Sequence, residues 1–416
     1  MWSSAPHQNV SDLAKSDLLD RANQFIFSTG LNDGASKLCR ANMKYGLAQF
    51  HLIQEKYGFE PKATFITSPD ETISRNAFRW NSGIGYGGRL NWGSGNEKIV
   101  FLNVKPNCCG ILVGGLDEPV DPYNLITQID KIKNTNLFHD GIELKMDFGT
   151  SNHFINCYET KNLSDHNLPP YMFFIHGSAP EFMGDNGGEQ LGLYVDKSST
   201  LNDLALSVNT KFGKQNILLD SDAKIYNDFN KKAQRFSSSK RIVIANELFG
   251  DDFLVICNQP HQFLKDFNNM YLGCNCTDLM CESIINNIFP TTLRADLPAY
   301  LFSGKQNLSE TTIKNLQFEE RARRLEVFNN LWNVNILPHG GGYTLPDIGD
   351  VNKIFEYGDD RYFICELSRD AKKLKIIRNV QNLQYGYRGR KIILKTLQLK
   401  LGDLIARLKP IFSLKV

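Results

Sequence analysis

Strand-like and helix-like segments follow one another in this chain without regular alternation, and that irregularity constrains the fold more than any other feature. Helical spacing of apolar residues predicts helices at Ala35–Gly58, Tyr123–Lys133, Leu201–Phe212, Ile225–Phe236 and Glu310–Leu331. A further amphipathic helix is predicted over Leu394–Leu408, ended by Pro410, with Leu397, Leu401, Leu404 and Leu408 on one face. Apolar runs predict strands at Lys98–Val104, Gly110–Gly114, His153–Cys157 and Tyr171–His176, and the final residues as another. A hairpin is predicted over Arg241–Cys257, and a strand pair over Lys353–Glu366. Gly83, Gly85, Gly87, Gly88, Gly93 and Gly95 predict an irregular loop over Asn81–Gly95. A doubly wound sheet needs repeated strand–helix–strand units, so the expected class is α+β.

The chain is 416 residues long and shows no internal repeat, low-complexity tract or clear linker, which fits one large domain over 1–416. No run of about 18 apolar residues is present, so neither a membrane span nor a membrane partner is expected. Met1–Ser11 is polar and lacks the apolar core of a secretory signal. Nine irregularly spaced cysteines argue against a disulfide framework and for a reducing, cytoplasmic setting. The net charge of +2 is unevenly placed. From Arg369 onward there are 13 Lys and Arg against Asp370 and Asp403, a tail near +11 on a body near −9. Such a tail is either a solvated basic face or a surface for a phosphate-bearing partner.

Four of the eight histidines stand in marked settings: Asn152-His153, His176-Gly177-Ser178, Pro260-His261-Gln262 and His339-Gly340-Gly341-Gly342. Each ends or interrupts an apolar stretch, where a fold converges side chains onto one point. Cys109 follows the Val104-Lys105-Pro106-Asn107 corner. A thiolate with two or three imidazoles suits a borderline divalent cation, but the ligands would come from distant segments. Two readings stay open for each feature. A histidine at a strand end can be a hydrogen-bonded structural residue, and Cys108 and Cys109 can be small buried hydrophobes. The three glycines can form a simple turn or bring backbone amides against a phosphate.

Taken in order, these segments resemble the signature of the RtcB family of GTP-dependent RNA ligases. That family has an Asp-x-x-Cys-Gly corner after an apolar strand. Ile99-Val-Phe-Leu-Asn-Val-Lys-Pro-Asn-Cys-Cys-Gly110 stands in its place, with Cys109 as the metal-bridging cysteine. Gly149-Thr-Ser-Asn-His-Phe154 is similar to the family's Gly-x-Gly-Asn-His-Phe, which makes His153 a metal ligand and puts Asn152 beside the nucleotide. Tyr171-Met-Phe-Phe-Ile-His-Gly-Ser178 resembles the strand ending in His-Ser-Gly-Ser-Arg and puts His176 on the metal. His261-Gln262 resembles the later His-Asn step, with His261 on the metal and Gln262 at the nucleotide. Leu337-Pro-His-Gly-Gly-Gly-Tyr343 resembles the nucleophile motif His-Gly-Ala-Gly-Arg, with His339 carrying the guanylate and Gly340, Gly341 and Gly342 at its phosphate. The last segment, Ala406–Val416, is similar to the family's basic closing strand, and Lys415 would reach the guanine. The likeness spans roughly residues 81 to 416; residues 1–80 match poorly.

The resemblance implies layered sheets around a central metal and nucleotide cleft, one or two Mn2+ ions, and GTP. It implies ligation of RNA 3′-phosphate or 2′,3′-cyclic phosphate ends to 5′-hydroxyl ends through a histidine–guanylate, with an activating protein as a further partner. The departures are specific. Pro106 stands for the corner aspartate and Asn156 for a glutamate. Ala179-Pro180-Glu181 follows His176-Gly177-Ser178 where an arginine belongs, and Gln262 and Tyr343 replace an asparagine and an arginine. The family's Asp-Val-His motif is not visible in Arg79-Trp-Asn-Ser-Gly83. One cation position, Cys109 with His176 and His261, is thus intact, while the other, Cys109 with His153, lacks its carboxylate. Three activities remain open: an active ligase, a homologue that binds nucleotide or RNA without ligation, and an unrelated metal hydrolase on the same cluster.

Overall fold

The computed structural model describes residues 9–149, 152–185, 190–278 and 287–415. At its centre is an eleven-stranded sheet. In chain order its strands are β1 (Ile26–Phe27), β2 (Thr64–Ile73), β3 (Gly85–Asn91), β4 (Cys109–Leu116), β5 (Phe154–Asn162) and β6 (Tyr171–Gly177). They continue with β7 (Leu254–Asp266), β8 (Asn269–Leu272), β9 (Ile288–Thr291), β10 (Ala299–Gly304) and β11 (Gly402–Leu414). The spatial order is β1-β2-β3-β8-β7-β4-β6-β5-β11-β10-β9. Only β1 and β2 run parallel; the other neighbours are antiparallel. The architecture is mixed α+β, as expected.

The central strands are covered on both faces, which is why β4 and β6 read as unbroken apolar runs. Alternate side chains of β4 feed different clusters. Ile111 and Val113 pack with Phe174, Ile256, Leu301 and Leu408. Leu112 packs with Phe173, with Ile129 and Ile132 of the Pro122–Asn134 helix, and with Ile244 and Leu248 of the Asp220–Phe249 helix. Each such burial contributes roughly 1.5–3 kcal/mol relative to exposure. The cluster holding Ile111 is on the face that carries the site.

The glycine-rich stretch is a correction: Gly85–Asn91 is strand β3, not an irregular loop. Its glycines serve close approach, since a Cβ on Gly88 would collide with the Ile66 carbonyl of β2. Arg241–Cys257 is not a hairpin. Asp220–Phe249 is one 30-residue helix ending at Gly250 (φ 79°), and β7 follows. The β-branched residues there are helical because burial of Ile244 and Leu248 outweighs their weak strand preference. Leu201–Phe212 divides into a helix at Ser199–Leu204 and a strand at Leu206–Thr210. Glu310–Leu331 is three short helices, Glu310–Asn315, Glu319–Arg324 and Phe328–Leu331, with left-handed residues Gln317 and Glu326 between them. Leu394–Leu408 is helical only within Lys391–Gln398. After Lys400 (φ 55°) the chain becomes β11, where Leu404 and Leu408, four apart, satisfy the strand period as well as the helix period. Pro410 does not end the element; it lies at a register shift, where its missing N–H is tolerated.

Among the described residues no helix is long and apolar enough to cross a membrane. None of the eight described cysteines is in a disulfide, and all eight are buried. Residues 9–80 contribute to the sheet: β1 and β2 come from them, and Asp33 caps the Gly34–Lys56 helix at Ser36 N (3.0 Å).

Candidate functional site

His153, His176 and His339 line a cavity of about 880 Å3, and Cys109 and His261 reach it through their contacts with His176. Cys109 opens β4 after a corner in which Lys105 and Cys108 take positive φ (48° and 57°). His176 pairs across the sheet with Ile111, so it shares a face with Cys109 two residues away. His261 owes its direction to a bulge. The β7–β4 register skips from Pro260↔Gly110 to Gln262↔Cys109, leaving His261 as the extra residue. Regular alternation would send His261 and Gln262 to opposite faces; the bulge re-aims the imidazole.

Cys109, His176 and His261 each offer a ligand atom, and these atoms lie within 4.8 Å of one another. Cys109 Sγ is 3.0 Å from His176 Nε2, and the two Nε2 atoms of His176 and His261 are 3.2 Å apart. Two ring nitrogens this close cannot both carry a proton. His176 Nδ1 lies 3.1 Å from the Asn152 carbonyl, which fixes the tautomer with Nε2 bare. Burial pushes both imidazoles well below their ordinary range, and they are neutral. A buried sulfur and two imidazoles whose Nε2 atoms converge on it fit a divalent cation.

His153 stands on the other side of the sulfur, with Nε2 3.2 Å from Cys109 Sγ. Its Nδ1 lies 2.8 Å from Asp147 Oδ2. Burial opposes a charge on this ring, but the Cys109 sulfur and the Asp147 carboxylate overcome it and raise its pKa to about 10 without a cation. Asp147 is correspondingly held below the usual carboxylate range despite its burial.

His339 follows the short strand Ile336–Pro338. It is fixed by backbone contact with Thr292, whose N–H donates to the His339 carbonyl (3.0 Å). Its ring lies 4.5 Å from that of His261. Its Nδ1 is 2.8 Å from Oδ2 of the fully buried Asp70, which also accepts from Gly340 N (3.3 Å). Asp70 reaches this point because β2 carries extra residues where its pairing with β3 shifts between Thr67 and Thr72. Gly342 must be glycine: it has φ 62°, and a Cβ would strike the Asp70 carbonyl. Arg388 ties this corner to the Gly34–Lys56 helix. It donates to both Asp33 oxygens (2.6 Å each) and to Ser36 Oγ (3.2 Å).

The remaining candidates also line the cavity: Asn152, Gln262, Gly340, Gly341, Gly342 and Lys415. The Gly340 amide is already engaged by Asp70. Gln262 Oε1 accepts from Tyr86 OH (3.0 Å), while its buried Nε2 has no partner. Thr150 and Ser151 of the Gly149–Phe154 motif, and Val416, lie outside the described residues.

Sequence reasoning missed Asp70, Asp147 and Arg75. Asp70 lies in Ser68-Pro69-Asp70-Glu71, nine residues before the Arg79-Trp-Asn-Ser-Gly83 stretch. Both carboxylates lie in a strand buried along its whole length, Asp70 and Glu71 included. Asp147 stands six residues before His153. Arg75 lines the cavity and stacks on Tyr385, 3.9 Å from the ring centroid, beside Tyr343. No family model matches this chain, and no curated protein matches it.

Proposed function

We propose that this protein is an RNA ligase of the RtcB type, joining RNA 3′-phosphate or 2′,3′-cyclic phosphate ends to 5′-hydroxyl ends with GTP and Mn2+. The observation that carries this reading is His339: one ring nitrogen is held by a buried carboxylate, and the ring packs against His261 of the metal cluster. With Nδ1–H donated to Asp70, the lone pair on Nε2 is available as a nucleophile. In this reading Nε2 forms a bond to the α-phosphorus of GTP, the bond to the bridging β-phosphate oxygen breaks, and pyrophosphate leaves. The positive charge that develops on the ring is balanced by Asp70. The guanylate then passes to the RNA 3′-phosphate, and the 5′-hydroxyl displaces GMP. A cyclic phosphate is first opened by hydrolysis.

Cys109, His176 and His261 would hold the divalent cation, whose charge offsets that of the phosphates. Gln262, with an unpartnered buried donor, and Lys415 are suited to the nucleotide. Arg75 brings a guanidinium to the cavity near Tyr343, where the family has arginine. The basic tail suits RNA, and an activating protein would act on turnover.

One observation favours a second reading, a homologue that binds nucleotide or RNA without ligation. Pro106 offers no ligand at the corner, and the arginine of the His176 motif is gone, with Ala179-Pro180-Glu181 after His176-Gly177-Ser178. An end-labelled RNA bearing a cyclic phosphate and a 5′-hydroxyl, incubated with Mn2+ and GTP, separates the two. GTP-dependent circles or joined products support the ligase. RNA retained on the protein but never joined supports the binder.

A further inference from the structure

The second cation position has lost its corner carboxylate to Pro106, yet a buried carboxylate stands directly behind its histidine. We propose that Asp147 is a positioning residue that restores this position: it fixes His153 as an Nε2 ligand, so that Cys109 and His153 hold a second divalent cation. The proposal rests on the metal and nucleotide reading of the cavity given above.

The geometry excludes a loosely placed side chain. Asp147 Oδ2 accepts from Ser178 N and Ser178 Oγ, both at 2.9 Å, and lies 2.8 Å from His153 Nδ1. Three contacts on one oxygen of a side chain that is 8% exposed leave it one orientation. Gly177 lies flush against Oδ1, where a Cβ would come within 3.0 Å. Asp147 thus meets the imidazole at the nitrogen that faces away from Cys109, while Nε2 is aimed at the sulfur 3.2 Å off. A carboxylate against the far nitrogen of a ligating imidazole sets the ligand's tautomer and raises its basicity. It also returns one negative charge to the neighbourhood of the cation, in place of the charge missing at Pro106. Because Ser178 follows His176 by two residues, the same short segment carries a ligand of the first cation and the brace of the second.

Asp147 could instead serve only as the ion-pair partner of a charged His153 in a metal-free fold. Metal titration distinguishes the roles. Metal-free protein is titrated with Mn2+, with bound metal measured by elemental analysis, and with Co2+, followed by thiolate-to-cobalt absorption. Wild type is expected to take two ions per chain. Asp147→Asn should bind the first with unchanged affinity and the second about 10–100-fold more weakly. Asp147→Glu should recover part of that loss, and His153→Gln should lose the second ion alone. One ion per wild-type chain would overturn the proposal. So would two ions of wild-type affinity in Asp147→Asn, or an equal weakening of both. Failure of the ligase reading looks different: two ions bound, the second dependent on Asp147, and no guanylate on the protein.

Discussion

Removing the Asp70 carboxylate should slow guanylylation without emptying the metal centre, because Asp70 touches the nucleophile and none of the cation ligands. Its Oδ2 accepts from His339 Nδ1 at 2.8 Å and from Gly340 N at 3.3 Å, and its other oxygen accepts from Ser68 Oγ. In Asp70→Asn the carbonyl can keep the first two contacts while the amide turns to Ser68, so the loss is confined to charge. Hydrogen bonds to charged groups contribute about 1.5–3 kcal/mol against about 1 for neutral ones, so the expected cost is ~1–2 kcal/mol, or roughly 5–30-fold in rate. Asp70→Ala strands the His339 and Gly340 donors together. The expected loss is then ~3–4 kcal/mol, roughly 10²–10³-fold. The assay is single-turnover incorporation of α-labelled GTP at saturating Mn2+, with bound metal measured on the same samples. If both variants label within about twofold of wild type and hold their metal, Asp70 does not set the His339 tautomer and the account of the nucleophile fails.

Further outcomes follow from the same geometry. His339→Ala should abolish covalent labelling and leave metal content unchanged, whereas Cys109→Ala should lose both; equal metal content in the two variants would separate the sulfur from the cation. Arg388→Ala should cost about 3 kcal/mol in chemical unfolding, the low end for a buried pair because Asp33 stays 31% exposed. Asp33 is held below the ordinary aspartate range because, although burial opposes its charge, the Arg388 guanidinium and the Ser36 amide outweigh it. The stability it contributes is therefore present above about pH 4 and is lost as pH falls through the lower folded value. Asp33→Asn should be less stable than wild type at pH 6, and the two should converge in acid; a constant difference down to pH 2 would remove the pair as the cause. RNA affinity should fall with added salt, with a log–log slope of about −0.7 per phosphate contacted; a flat response would exclude the basic tail as an RNA surface.

Much of the site was legible because Cys109 and His176 sit at strand ends, while His261 interrupts β7. Cys109, His176 and His261 follow or interrupt apolar runs, and the sheet brings those runs side by side. The aim of His261 was not legible, since it depends on one bulged residue in the β7–β4 register. Asp70 was hidden for a related reason: a register shift in β2, not a motif, delivers it. The fold class followed from irregular alternation, but element boundaries failed where local spacing fits two structures. Leu404 and Leu408, four apart, satisfy both periods, and Lys400 with the pairing to β5 and β10 decides for a strand. The glycines of Asn81–Gly95 report close backbone approach as readily as a loop.

Intact-mass spectrometry after incubation with GTP and Mn2+ tests the central claim most directly. A single guanylate adduct is expected on the wild type, lost on mild acid as a phosphoramidate should be, mapped to the His339 peptide, and absent from His339→Ala. Wild-type protein that binds its metal and carries no adduct, or an adduct that persists in His339→Ala, would contradict it.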